Sequence, residues 1–130
     1  MLSARVSIPG EIRAAIGAHA ENCSPDECCG LIASDPEGKV RFAYPTTNRT
    51  PSPSTYTVDP DEHLGALLHA ERMGWMLTGV FHSHPTGPAM PSETDVDQAL
   101  EPDWLYLIAA GTSLRGFRIR GRQVAEVELA

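Results

Sequence analysis

Met76-Leu77-Thr78-Gly79-Val80-Phe81-His82-Ser83-His84-Pro85 is the stretch on which the reading of this chain turns. Residues 76–82 are mostly apolar, with β-branched and aromatic side chains among them, and read as a buried strand. Alternate residues of a strand project to the same side, so His82 and His84 face one way. Pro85 cannot donate to a further ladder bond and stops the strand. Both imidazoles are therefore expected at the C-terminal edge of a sheet, where α/β folds commonly build sites. Two ring nitrogens so placed can hold one metal ion. They can equally be two structural histidines, and their spacing does not choose.

Downstream, Asp95 lies eleven residues beyond His84, past a proline-rich loop over 85–91 that can fold it back. Two neutral imidazoles and one carboxylate make a common catalytic zinc shell, with water in the fourth position. Ser92-x-x-Asp95 also has the form of a helix capping box, serine at the cap and acid returning to the cap amide. The two readings are compatible, because a helix start is a stiff mount for a ligand.

A hydrolytic metal site also needs a carboxylate to shuttle a proton. Glu27, Glu93, Asp97 and Glu62 are the candidates, and spacing does not select among them. Glu27 stands out because it leads straight into the apolar run over 28–33, where an acid costs desolvation. A charged residue at an exposed strand start is the plainer reading.

The flanks supply the rest of the architecture. Val6 to Pro9 reads as a short strand or extended entry, and residues 9–22 as an amphipathic helix with Ile12, Ala15, Ile16 and His19 on one face. Residues 28–33 and 40–45 form a hairpin through the turn at Asp35-Pro36-Glu37-Gly38. A loop over 46–54 is followed by a short strand over 55–58. Asp59, Pro60 and Glu62 open a helix that carries Leu64, Leu67 and Leu68 and ends at Gly74. Ser92 opens a short helix. Strands over 104–110, 114–120 and 123–129 close the chain, the last two joined at Gly121-Arg122. This order predicts an α/β or α+β domain, a mixed sheet with helices packed on it, and does not settle which faces they cover.

Composition narrows the function classes. A chain of 130 residues with 42% apolar content suits one globular domain. Ten Lys and Arg against 17 Asp and Glu give a net charge of −7, which argues against nucleic acid or an anionic membrane as partner. The cluster Arg115, Arg118, Arg120 and Arg122 reads as a solvated strand face, or more weakly as a dock for an acidic carrier. Residues 1–5 lack the apolar run of a secretory leader, no stretch is long enough to span a bilayer, and a cytoplasmic location is expected. Cys23, Cys28 and Cys29 are an odd number without Cys-x-x-Cys spacing, and burial is the expected role for at least one. His19, His63 and His69 are expected to be surface or packing residues, and Trp75, Trp104 and Phe117 core. Oligomerisation is left open.

Glu27, then His82-x-His84-Pro85, then Ser92-x-x-Asp95 resembles the motif of the JAMM (MPN-plus) metalloproteases, down to the seven residues between His84 and Ser92. Pro25-Asp26-Glu27-Cys28-Cys29-Gly30-Leu31 is similar to the stand-alone bacterial members of that family. Pro45-Thr46-Thr47-Asn48, Ser54, Tyr56 and Asp59 add a similarity to its Mec-type CysO-cysteine peptidases. The resemblance implies a cytidine-deaminase-like fold filling residues 1–130. It implies Zn2+ held by His82, His84 and Asp95, Glu27 as general base and then acid, and Ser92 as hydrogen-bond donor to the oxyanion. The implied activity is cleavage of the amide after the C-terminal glycine of a ubiquitin-like sulfur-carrier protein, releasing cysteine from a carrier-cysteine adduct. The runner-up is an isopeptidase removing a ubiquitin-like modifier from lysine. A reading of another class is a non-catalytic MPN-type binding scaffold, although such modules usually lack part of the ligand set. A deaminase would need Pro-Cys-x-x-Cys following its His-x-Glu, and a cupin a histidine after His84; neither Pro-Cys-x-x-Cys nor a later histidine is present.

Overall fold

Seven strands form one mixed sheet in the order β1-β7-β6-β5-β4-β2-β3 in a computed structural model that describes residues 5–130. The expectation of no leader concerns residues 1–4 in the main, which lie outside the described residues. Along the chain come β1 (Arg5–Val6), α1 (Gly10–Cys23), β2 (Cys29–Ser34), β3 (Val40–Thr46), α2 (Pro60–Arg72), β4 (Met76–Ser83), α3 (Glu93–Gln98), β5 (Leu105–Ala110), β6 (Ser113–Arg120) and β7 (Gln123–Leu129). Adjacent pairs are antiparallel except β4 with β5 and β1 with β7. The expected mixed α/β sheet is the observed one.

Both faces of the sheet are covered, which is why its central strands read as unbroken apolar runs rather than alternating ones. On one face Ile12 and Ile16 of α1 pack with Ile32, Phe81, Leu105 and Leu107. On the other, Ala66 and Ala70 of α2 pack with Leu31, Ala33, Val80, Tyr106 and Ile108. Successive residues of β2, β4 and β5 alternate between these two cores, as the strand period requires. Gly30 is needed where β2 is tightest: a Cβ there would lie 2.2 Å from the Phe81 ring and 2.4 Å from the Tyr44 carbonyl oxygen.

Several expectations need correction. Residues 55–58 form no ladder, only an isolated bridge between Asn48 and Val58, because the Asn48 side chain takes the Thr55 carbonyl and the Thr57 amide. Asp59 caps α2 by accepting from the Asp61 and Glu62 amides, but Glu62 does not return to the cap. Its carboxylate accepts instead from the Thr47 amide at 2.6 Å and the Thr47 hydroxyl at 3.0 Å. On α1 the buried face omits Ala15. Small alanines, not the leucines, are what α2 buries; Leu64 and Leu68 are 55% and 52% exposed. Phe117 is core, whereas Trp75 and Trp104 are only partly buried. The arginine cluster is largely neutralised within the chain: Arg115 grips Glu126 with two bonds, Arg120 pairs with Asp103, and Arg122 pairs with Asp97 and Glu93. Among the described residues no helix is long and apolar enough to cross a membrane.

Candidate metal centre

His82 and His84 leave the sheet where β4 ends. The ladder with β5 runs on one step, the His84 amide donating to the Ala109 carbonyl at 2.8 Å, before Pro85 ends it. Both rings point to one side, and their Nε2 atoms are 3.1 Å apart. The 85–91 loop returns the chain so that α3 begins against them. Ser92 caps α3 as expected: its Oγ accepts from the Asp95 amide at 3.1 Å, and Asp95 Oδ2 accepts from the Ser92 amide at 2.9 Å. The same Oδ2 lies 3.1 Å from each histidine Nε2. His82 and Asp95 are buried and His84 is half-buried.

The chemistry of this trio fits a divalent metal. His84 Nδ1 lies 2.8 Å from the Pro88 carbonyl oxygen and donates to it. That bond fixes the ring so that Nε2 is the atom facing Asp95 and His82. The three potential ligand atoms all lie within 4.8 Å of one another. Burial pushes the Asp95 carboxyl up, but hydrogen bonds from His82 and His84 outweigh it and hold the group well below the usual carboxylate range. The bond to Asp95 raises His84 against the opposing effect of burial. An ionised carboxylate facing two imidazole nitrogens is a ready-made N, N, O donor set.

Glu27 is where the structure separates the four acids. The register that sets Cys29 opposite His82 continues through the Ser83 amide bond to the Cys28 carbonyl at 3.2 Å. Ser83 Oγ in turn accepts from the Cys28 amide at 2.8 Å. Glu27 is thereby carried up beside the trio, only 2% exposed, with Oε1 buried and without a hydrogen-bond partner. Burial, then the nearby Asp95 charge, raise its carboxyl to about 7, with His84 pulling the other way. The other three acids are engaged elsewhere. Glu93 and Asp97 are exposed and pair with Arg122, and Glu62 serves Thr47. The plainer reading of Glu27 as an exposed strand start is overturned.

Both adjacent cysteines are buried. Cys28 lies in the α1-side core, and Cys29 bonds Thr46 Oγ1 at 3.3 Å. Burial raises their thiols to about 12 and about 11. Burial and Asp26 raise Cys23 as well. His19 braces the end of the hairpin, its Nε2 near the Cys29 and Thr46 carbonyls, and His69 bonds the Tyr44 hydroxyl.

Two residues of the site carry no chemical motif of their own. Tyr56 lies on the irregular 47–59 segment, and its ring stacks on His82 at 4.7 Å between centroids and 26° between planes. Asn48 is buried behind it and bonds the Glu27 carbonyl at 3.1 Å. Local spacing gives no sign of either contact; only the many turn-forming residues around them mark the segment as one needing a side-chain anchor.

Comparison with known proteins gives the family. Residues 9–120 match the family model for prokaryotic homologs of the JAB domain. The desampylase of Haloferax volcanii is 34% identical over 116 residues, covering 85% of this chain and 84% of its own length. The CysO-cysteine peptidase of Mycobacterium tuberculosis is 37% identical over 119 residues, covering 86% and 81%. A JAB1/MPN domain protein from Archaeoglobus fulgidus has the same fold, with a TM-score of 0.63 and 18% identity across 97% of this chain and 98% of that one. The chain belongs to the prokaryotic JAB-domain family and is a hydrolase of its peptidase type.

Proposed function

We propose that this chain is a zinc-dependent peptidase that hydrolyses the amide bond after the C-terminal glycine of a ubiquitin-like carrier protein. The observation that carries it is the convergence of His82 Nε2, His84 Nε2 and Asp95 Oδ2 beside the buried, unpartnered Glu27. Zinc held by those three atoms would polarise a carbonyl and bring a water's pKa to about 7. Glu27 has the complementary property, a carboxyl that changes charge near neutrality. It takes a proton from the attacking water and returns it to the leaving amine. Ser92 uses an oxygen lone pair for the helix cap, so its hydroxyl proton is free to donate to the negative charge developing on the carbonyl oxygen.

The choice of substrate is supported by the relatives, one named a CysO-cysteine peptidase and one a desampylase. A flexible glycine-ended tail suits an active site at the end of a strand. The finer reading is release of cysteine from a sulfur-carrier adduct; the desampylase relative favours lysine-linked conjugates as the second reading. Incubating zinc-loaded enzyme with a carrier-cysteine adduct and with a lysine-linked carrier conjugate, followed by mass spectrometry, separates them. Cysteine release is expected from the first; an intact adduct beside a cleaved conjugate moves the assignment to the isopeptidase. Glu27→Gln should abolish turnover and keep the metal. Cleavage of neither substrate by zinc-loaded protein, with the carrier nonetheless bound, would leave a binding scaffold.

A further inference from the structure

One buried amide joins the two sides of the site. Asn48 is 8% exposed and uses both ends of its side chain. Its Nδ2 donates to the Glu27 carbonyl at 3.1 Å and to the Thr55 carbonyl at 3.1 Å. Its Oδ1 accepts from the Thr57 amide at 2.9 Å and the Thr50 amide at 3.1 Å. Thr55 and Thr57 are the two neighbours of Tyr56, so Asn48 grips the chain on both sides of the ring that stacks on His82. The other backbone group of Glu27 is also held, its amide donating to the Ser52 carbonyl at 2.8 Å within the same segment.

We propose that Asn48 is a positioning residue: its side-chain amide sets Glu27 and the Tyr56 ring at fixed distance and angle to the His82, His84 and Asp95 group. The physical need is clear. Residues 47–59 form no ladder beyond one bridge and the bonds beside it, from the Arg49 amide to the Thr57 carbonyl and from the Asp59 amide to the Thr47 carbonyl, so side chains must hold much of the backbone between them. A single primary amide offers two donors and two lone pairs in one plane. Here it spends the donors on Glu27 and Thr55 and the lone pairs on Thr50 and Thr57. Glu27 has no side-chain bond at Oε1, so its aim depends on how its backbone is held. The proposal rests on the peptidase reading for its kinetic consequence but not for its geometric one.

Asn48→Asp is the discriminating variant. It keeps the shape and the acceptor Oδ1, and loses both donors to Glu27 and Thr55. Two measurements apply. In steady-state cleavage by zinc-loaded enzyme, kcat per folded, metal-bearing molecule is expected to fall by about tenfold or more with KM little changed, since misplacing a reacting group acts on the chemical step. By NMR, the His82 ring protons should lose the ring-current displacement that the Tyr56 stack imposes. A lowered melting temperature with unchanged kcat per folded molecule and unchanged His82 shifts would overturn the proposal. Should the variant not fold, the wild-type protein decides. Asn48 side-chain amide protons should exchange slowly with water compared with those of Asn22, which is exposed; equal rates would sink the idea. If the wild-type enzyme cleaves no conjugate, the peptidase reading fails while the NMR measurements still judge Asn48.

Discussion

Asp95 Oδ2 accepts from the Ser92 amide at 2.9 Å, and Ser92 Oγ accepts from the Asp95 amide at 3.1 Å. The same Oδ2 stands 3.1 Å from both histidines. One oxygen thus closes a helix cap and stands among the three atoms that could hold a metal. The closed cap already fixes the carboxylate, so a metal bound there would leave little side-chain entropy to lose.

Asp95→Asn should separate the two duties. Its carbonyl oxygen can still accept the Ser92 amide, so α3 keeps its cap. That same oxygen still faces both imidazoles, but as part of a neutral amide it lacks the carboxylate's charge and is a far weaker metal ligand. The metal-free variant should melt within a few degrees of the wild type, while zinc affinity falls by more than about a hundredfold. Isothermal titration and metal analysis after dialysis check this; wild-type zinc retention would remove Asp95 from the ligand set.

Ser92→Ala removes a cap and a donor together. The loss of the cap should cost about 1 kcal/mol of stability, read by denaturant unfolding of the metal-free protein. Loss of the hydroxyl proton should lower kcat by about a hundredfold with the metal still bound. Ser92→Thr keeps the hydroxyl and should retain most of both. Full activity in Ser92→Ala would confine Ser92 to its structural part.

Metal-free protein should lose stability as pH rises from about 4.5 toward 7, and Glu27 sets the sign. Its carboxyl titrates near 7 in the folded chain against 4.5 in its ordinary state. Between those values the folded state binds more protons than the unfolded one, so stability falls with rising pH. The shift corresponds to about 3 kcal/mol between pH 4.5 and 7. His84, also raised, adds loss of the same sign. Melting curves in chelator from about pH 5 to 7 should therefore slope downward, and Glu27→Gln should flatten the slope without removing it. An unchanged slope in the variant would show that Glu27 is ionised throughout.

Gly30→Ala should destabilise the fold far more than one methyl group suggests. The new Cβ meets the fully buried Phe81 ring and the Tyr44 carbonyl, and neither can move without shifting a neighbouring strand. Overpacking of this kind costs about 3 kcal/mol. Thermal unfolding reads it directly, and a loss below about 1 kcal/mol would mean that β2 and β3 can part locally.

The sequence alone determined what short-range periodicity can encode. A strand period put His82 and His84 on one side, Pro85 fixed where they end, and Ser92-x-x-Asp95 specified a cap that needs no distant partner. The unbroken apolar runs of β2, β4 and β5 marked buried strands, but which faces the helices cover was settled only by the fold. The tertiary structure decided what depends on register between strands far apart in the chain. Pairing of Cys29 with His82 brought Glu27, rather than Glu62, Glu93 or Asp97, to the trio. Likewise α2 turned its leucines outward because the sheet leaves room for Ala66 and Ala70 beneath it. Asn48 and Tyr56 entered the sequence reading only through the family resemblance, and their contacts were hidden for the same reason. Their bonds run from an irregular segment to β2 and β4, and no local spacing records a contact made between chain segments that meet only on folding.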